Sequence, residues 1–414
     1  MLKYIFNPKT VALIGASNKP KTVGNGIALN LLKGKQKIFF VNPNRRKILK
    51  QESYPSILDI KETIDLAVIA VPAKIVPSIL KECQEKKVKG VIIISSGFSE
   101  VGNIKEEEKL KIDLPLVGPN CLGIINTKNN LNASFSPFMP KKGNIGVLSQ
   151  SGAILDTIID IAKDESYGFS KIVSFGNEAG LDLSDYIHYL EKDKETDVIA
   201  IYIEGIKNGR KFFNAISKSS KPIIILKSGK SNLGREAALT HTGSLAGDSK
   251  IYSSVFKQGK AIEVDSIEEL LDVSKTLSWH KRQKGSVHIV TNGGGFGVLA
   301  VDAFEKEKIK VFSPIDLLGD ALASKYETAI EELLKKKDVA CVYVIQGLQI
   351  MTEPEKTAKI IVKLKKKYNK PIIVSFLGGA SFDKAIRIIE KNKIPNFNEI
   401  KRAVKVIKHL VYEK

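Results

Sequence analysis

Cysteine is scarce in this chain: Cys83, Cys121 and Cys341 are the only three in 414 residues. They are far apart and lack the spacing of a disulfide framework or a zinc knuckle, so a reducing cytosol is the simplest setting and no metal site is expected. No apolar run approaches the roughly 18 residues that a membrane-spanning helix needs. Met1-Leu2-Lys3-Tyr4-Ile5-Phe6-Asn7-Pro8 leads within a few residues into a strand pattern, which leaves no room for a secretory leader. A soluble, cytoplasmic protein without membrane association is therefore expected. Two common enzyme signatures are missing too. There is no Gly-x-x-x-x-Gly-Lys-Ser/Thr loop, and neither a Gly-x-Ser-x-Gly elbow nor a Ser-His-Asp set stands out. A P-loop nucleotidase and an α/β-hydrolase are thereby disfavoured.

Acidic residues are also short relative to basic ones, 45 against 65, for a net charge of +20. Clustered lysines would suggest a nucleic-acid partner. Here Lys105, Lys163, Lys218 and Lys260 are spread along the chain. The short runs Lys335-Lys336-Lys337 and Lys365-Lys366-Lys367 fall on helical patterns without interleaved aromatics. The expected reading is a solvated lysine-rich surface that steers polyanionic ligands weakly, with no nucleic-acid partner.

What the chain does have is a 43% hydrophobic content arranged as short apolar runs between amphipathic stretches. That alternation is the mark of βαβ units. It predicts strands near Val11–Ile14, Ile38–Val41, Leu66–Val71 and Val91–Ile94, then Ile145–Leu148, Ile172–Ser174, Val198–Ile203 and Ile223–Leu226. A last set falls near Val287–Thr291, Val339–Ile345 and Ile372–Phe376. The fold class is α/β, with three Rossmann- or flavodoxin-like parallel-sheet domains over residues 1–128, 129–285 and 286–414. Asn129–Asn144, with its prolines and no periodicity, reads as a linker. The basic tract His280–Lys284 marks the next boundary.

The chemistry concentrates in the middle segment. Thr240-His241-Thr242-Gly243-Ser244-Leu245-Ala246-Gly247 sets one of only five histidines among hydroxyls and glycines. Hydroxyls and backbone N–H groups bind anions without adding bulk, so this loop suits a phosphoryl group. Glu204 ends the apolar strand Val198–Ile203, and carboxylates at such strand ends face the ligand crevice of parallel sheets. From there it can fix the tautomer of a histidine and leave the other ring nitrogen free to attack. Ser149-Gln150-Ser151-Gly152-Ala153 also follows a strand and opens a helix, a candidate phosphate cradle with Gly243. In the first segment Gly15-Ala16-Ser17-Asn18 follows a strand and Val23-Gly24-Asn25-Gly26 opens a helix. The spacing is not Gly-x-Gly-x-x-Gly, and Asn42-Pro43-Asn44 stands where a ribose-binding acid would, which argues against NAD. Thr291-Asn292-Gly293-Gly294-Gly295-Phe296-Gly297 is a further glycine-rich turn after a strand.

These blocks, with Gly118-Pro119-Asn120-Cys121-Leu122-Gly123, Ala70-Val71-Pro72-Ala73 and Asp316-Leu317-Leu318-Gly319-Asp320, resemble the ADP-forming acyl-CoA synthetases nearly end to end. More narrowly the chain resembles their α subunit, a relative of the succinyl-CoA synthetase α subunit. The resemblance implies that Gly15, Ser17, Asn18, Asn42, Pro43, Val71, Pro72 and Asn120 line a CoA groove in the first domain. It implies that His241 becomes a transient phosphohistidine supported by Glu204, with Ser149, Gln150, Ser151, Gly152 and Gly243 around the phosphate. Gly176–Gly180 would shape the acyl end, and the third domain would serve architecture and subunit contact. One departure is a short connection from Val311-Phe312 to Ser313-Pro314-Ile315-Asp316. No ATP-grasp fold fits within three such domains. ADP or ATP with magnesium is therefore expected on a separate ATP-grasp β subunit, in an α2β2 assembly of energy metabolism. The implied reaction converts acyl-CoA, ADP and phosphate reversibly to a carboxylic acid, ATP and CoA. The alternative is a CoA-binding regulatory or scaffold protein with vestigial catalysis.

Overall fold

The computed structural model describes residues 2–234 and 248–412. His241 and Gly243 therefore lie outside the described residues. The chain divides into two compact units, Met1–Ile267 and Glu268–Lys414. Each expected strand is present, and the class is α/β with sheets of mostly parallel strands.

The first unit holds two seven-stranded sheets. One uses β1 (Thr10–Ile14), β2 (Lys37–Val41), β3 (Lys47–Ile48), β4 (Gln51–Tyr54), β5 (Leu66–Ile69), β6 (Val91–Ile93) and β7 (Leu116–Val117). Their order is β3-β4-β2-β1-β5-β6-β7, parallel except for β3 with β4. Strands such as Leu66-Ala67-Val68-Ile69 are buried at every position, which explains their unbroken apolar character. The other sheet uses β8 (Gly123–Asn126), β9 (Leu131–Ser134), β10 (Lys142–Ser149), β11 (Phe169–Ser174), β12 (Val198–Ile203), β13 (Ile223–Lys227) and β14 (Ile262–Val264). Here the order is β14-β13-β12-β10-β11-β8-β9, with β8 antiparallel to both β11 and β9. A single apolar core runs from Leu13 and Phe40 of the first sheet to Leu148, Val173 and Ile201 of the second.

Asn129–Asn144 is not a linker. Its first part forms β9, which pairs with β8 in a hairpin from Gly123↔Ser134 to Asn126↔Leu131. Every residue of Leu131-Asn132-Ala133-Ser134 is buried, so polar positions interrupt the apolar ones without creating an exposed face. Asn30 explains part of this, because its Nδ2 donates to the carbonyls of Ser134 (3.0 Å) and Ser136 (2.8 Å). Side-chain hydrogen bonds of this kind satisfy backbone groups that the ladder leaves open.

The second unit adds β15 (Gln283–Lys284), β16 (Ser286–Thr291), β17 (Ile315–Asp316), β18 (Val339–Gly347), β19 (Ile372–Leu377) and β20 (Val411–Tyr412). Strands β17-β16-β18-β19 form an all-parallel sheet, and β15 pairs with β20. Most of helix Ile267–Trp279 belongs to this unit. Its Asp272 receives a bidentate pair from Arg402, Nε to Oδ2 at 2.8 Å and Nη2 to Oδ1 at 2.9 Å. No helix among the described residues is long and apolar enough to cross a membrane.

Candidate active site

The first unit encloses a cleft of about 1260 Å³ at the carboxyl ends of β5, β6, β10, β11 and β12. Strand ends of parallel sheets are where ligands bind, because the loops that follow diverge and expose backbone N–H groups. Of the residues expected at a site, Val71, Pro72, Asn120, Gln150, Ser151, Gly152 and Glu204 line this one cleft. Residues far apart in sequence therefore meet: the loop after β5, the turn before β8, the turn after β10 and the end of β12.

Glu204 is buried, and its position is fixed by the backbone around it. The Gln150 side-chain oxygen accepts from the N–H of Glu204 at 2.8 Å and from that of Gly205 at 3.1 Å. Tyr202 Oη donates to Glu204 Oε1 at 3.5 Å. Ser151 caps helix Gly152–Ile161, its hydroxyl accepting from the Ile154 N–H, while the buried Ser149 hydroxyl donates to the Ser151 carbonyl at 2.6 Å. Gln150 and Ser149 thus shape the turn, and the helix opens toward the cleft with the positive end of its dipole. On the next strand, Lys227 is buried with its Nζ 4.8 Å from the Tyr252 ring centre, and burial lowers its pKa.

The other expected residues lie beside the cleft lining rather than in it. Gly15 has φ +92°, and a Cβ there would stand 2.2 Å from the Ala70 carbonyl oxygen, so only glycine fits. Asn18 accepts from the Leu49 N–H at 2.7 Å and donates to the Lys47 carbonyl at 2.9 Å. Asn42 donates to the Ala16 carbonyl at 2.8 Å and accepts from the Asn44 N–H at 2.9 Å. Ser17 accepts from the Lys19 N–H at 3.0 Å. Gly15, Ser17, Asn18, Asn42 and Pro43 all lie in the loops after β1 and β2, next along the sheet from the Val71 loop. Val23, which opens helix Val23–Leu31, joins the lining.

Several lining residues escaped the sequence reading: Ser99, Glu100, Glu107, Phe135 and Lys207. Asn177 gathers three of them, its Nδ2 donating to Glu107 Oε2 (2.8 Å), Ser99 Oγ (3.1 Å) and Glu100 Oε2. Its Oδ1 accepts from Asn120 Nδ2 at 3.2 Å. Burial acts to raise the Glu100 pKa, but the Gly97 N–H, Asn177 and nearby backbone donors outweigh it and hold the carboxyl below its usual range. The signal available was position: Ser99, Glu100 and Glu107 follow β6 as Val71 follows β5, and Lys207 follows β12 as Glu204 does. Phe135 was hidden in the segment read as a linker.

Behind this wall Glu178 is buried at φ +54°, its Oε1 accepting from the Leu183 N–H at 2.7 Å. Burial pushes its carboxyl pKa up to about 7 from an ordinary 4.5. Between those values the unfolded chain has lost this proton while the folded chain keeps it. The folded state therefore loses stability as pH rises from about 4.5 to about 7. Glu178→Gln is expected to stabilise the protein at pH 8 and leave it unchanged at pH 4. Denaturant titration at the two pH values checks this, and an equal effect at both would refute the assignment.

Three family models cover most of the chain: a CoA binding domain at residues 9–127, a succinyl-CoA ligase like flavodoxin domain at 142–277 and a CoA-ligase domain at 290–407. The chain is 41% identical over 98% of its length to an ADP-forming acetate–CoA ligase I of Archaeoglobus fulgidus, and the match spans 63% of that protein. It is 38% identical to the α subunit of ADP-forming acetate–CoA ligase I of Pyrococcus furiosus, covering 99% of this chain and 97% of that one. Among solved structures, a dinucleotide forming acetyl-coenzyme A synthetase 1 from Ca. Korarchaeum cryptofilum, in complex with phosphate and ADP, superposes with a TM-score of 0.94 at 34% identity. That match covers 99% of this chain and 96% of the other. The chain spans 63% of the longer relative and nearly all of the α subunit, and likeness of this extent settles the relationship: the chain belongs to the family of α chains of ADP-forming acyl-CoA synthetases.

Proposed function

We propose that this chain is the α subunit of a cytoplasmic ADP-forming acyl-CoA synthetase, converting acyl-CoA, ADP and phosphate reversibly to acid, ATP and CoA. The observation that carries the reading is the single cleft in which Pro72, Asn120, the Gln150–Gly152 turn and Glu204 meet. A thioester-binding wall and a phosphate-ready helix start then share one space. In this reading the first sheet is a CoA-binding domain, the second a phosphoryl-transfer domain and the four-stranded sheet a ligase domain. β8 belongs to the second sheet, so the first boundary falls before Gly123 rather than at 128, and helix Ile267–Trp279 moves the next one from 285 to near 267. The CoA nucleotide lies along the loops carrying Gly15, Ser17, Asn18, Asn42 and Pro43, and the pantetheine arm enters past Val71 and Pro72.

In the proposed reaction a phosphate oxygen attacks the thioester carbonyl, the C–S bond breaks, and CoA leaves as acyl phosphate forms. The start of helix Gly152–Ile161, with Gln150, Ser151 and Gly243, holds the phosphoryl oxygens, while the buried Ser149, whose hydroxyl donates to the Ser151 carbonyl, braces the turn from behind instead of touching phosphate. A ring nitrogen of His241 then attacks phosphorus and the carboxylic acid departs. Glu204 holds the imidazole and offsets the charge that develops on it. The phosphoryl group passes next to ADP, which with its magnesium belongs to an ATP-grasp β subunit in an α2β2 assembly.

Calorimetric titration of this chain alone tests the division of labour. CoA and acetyl-CoA are expected to bind, and ADP and ATP are expected not to. Tight ADP binding by the lone chain would overturn it.

A further inference from the structure

The wall built on Asn177 bears on which acyl groups the cleft accepts. One amide nitrogen touches carboxylate oxygens of both Glu100 and Glu107, so the two acids converge on one point of the lining. An amide supplies two N–H donors and no charge, so it orients the pair without neutralising it. Among the described residues of the lining, Glu100, Glu107 and Glu204 are the acids and Lys207 is the only cation. Lys207 is already engaged, its Nζ 3.6 Å from Glu107 Oε1 and donating to the Glu178 carbonyl at 3.3 Å. The described part of the lining is therefore net acidic in a chain whose net charge is +20. Lys207 follows Glu204 by three residues, which ties the acidic wall to the end of the cleft where Glu204 stands. Leu122, Phe135, Val101 and Ile104 supply apolar surface in the same lining.

We propose that Glu100 and Glu107 make this cleft selective for uncharged acyl groups, rejecting those that carry a second carboxylate. The inference rests on the acyl-CoA reading above. A terminal carboxylate entering beside Glu100 and Glu107 loses water and meets like charges, with Lys207, the cation of the described lining, already paired, whereas a neutral chain meets apolar side chains. Specificity of this kind comes from repulsion of the wrong ligand more than from attraction of the right one.

Butyryl-CoA and succinyl-CoA have equal acyl length and differ by that carboxylate. Titrated into the wild-type chain, butyryl-CoA is expected to bind about tenfold tighter or more, with a gap that shrinks as salt rises. In Glu107→Gln, and more so in Glu100→Gln/Glu107→Gln, the gap is expected to narrow to about threefold, through a gain for succinyl-CoA. Thermal melts of each variant confirm that the wall is still folded. Equal wild-type affinities, or a gap that the single and double variants leave unchanged, would overturn the proposal. If neither thioester nor free CoA binds the folded chain, the acyl-CoA reading itself falls, and this inference with it.

Discussion

A chain carrying His241→Ala, mixed with its β subunit, ADP, labelled phosphate and acetyl-CoA, is expected to take up no label and to form no ATP. Wild-type chain should hold label that survives alkali and is lost in acid, as an N–P bond requires. The expected loss of turnover exceeds about a thousandfold, because the step removed is a covalent transfer. The cysteines are poor stand-ins: all three are buried, and burial pushes the Cys83 and Cys121 thiols up to about 12. The residues flanking the His241 segment support the assignment. Gly234 follows β13, the strand paired with β12, and Asp248 caps helix Ser249–Gln258 on the return. The segment therefore departs from the strand next to the one that ends in Glu204. Normal ATP formation by the alanine variant would mean that phosphate reaches ADP by another route.

Glu204→Gln is expected to slow phosphorylation of the chain by about a hundredfold, the cost of roughly 3 kcal/mol typical of one lost electrostatic contact in a transition state. Glutamine keeps the shape of the side chain and exchanges one carboxylate oxygen for an uncharged amide nitrogen. Gln150 grips the backbone N–H groups of Glu204 and Gly205, not the carboxylate, so the fold around the substitution should persist. Quenched-flow measurement of label uptake, beside an unchanged melting temperature, separates lost charge from lost structure. Wild-type uptake rates in the variant would reduce Glu204 to a buried strand end.

Much of this molecule is legible in its residues because parallel strands buried on both faces need unbroken apolar runs. Val198-Ile199-Ala200-Ile201-Tyr202-Ile203 has few other ways to be buried, and its exit residue Glu204 falls at the cleft by geometry alone. β9 escaped notice for the converse reason. Asn132 and Ser134 are buried by hydrogen bonding, Ser134 Oγ donating to Asn132 Oδ1 at 2.6 Å, and periodicity registers hydrophobicity only. Glu100 and Glu107 sit in a charge-rich stretch that reads as solvated surface. Their role depends on Asn177, which comes from another sheet and is invisible to any local pattern. The loops after β1 and β2 show the opposite limit: residue types suited to ligands are also the types that close turns, as Asn18 and Asn42 do here.

The continuous core beneath the cleft has a mechanical side. Leu13 and Phe40 share it with Leu148 and Ile201, so both walls are cast as one block with no seam on which to hinge. A clamshell movement of one sheet against the other would have to break that shared core. In the proposed reaction the block is the anvil beneath the phosphoryl group.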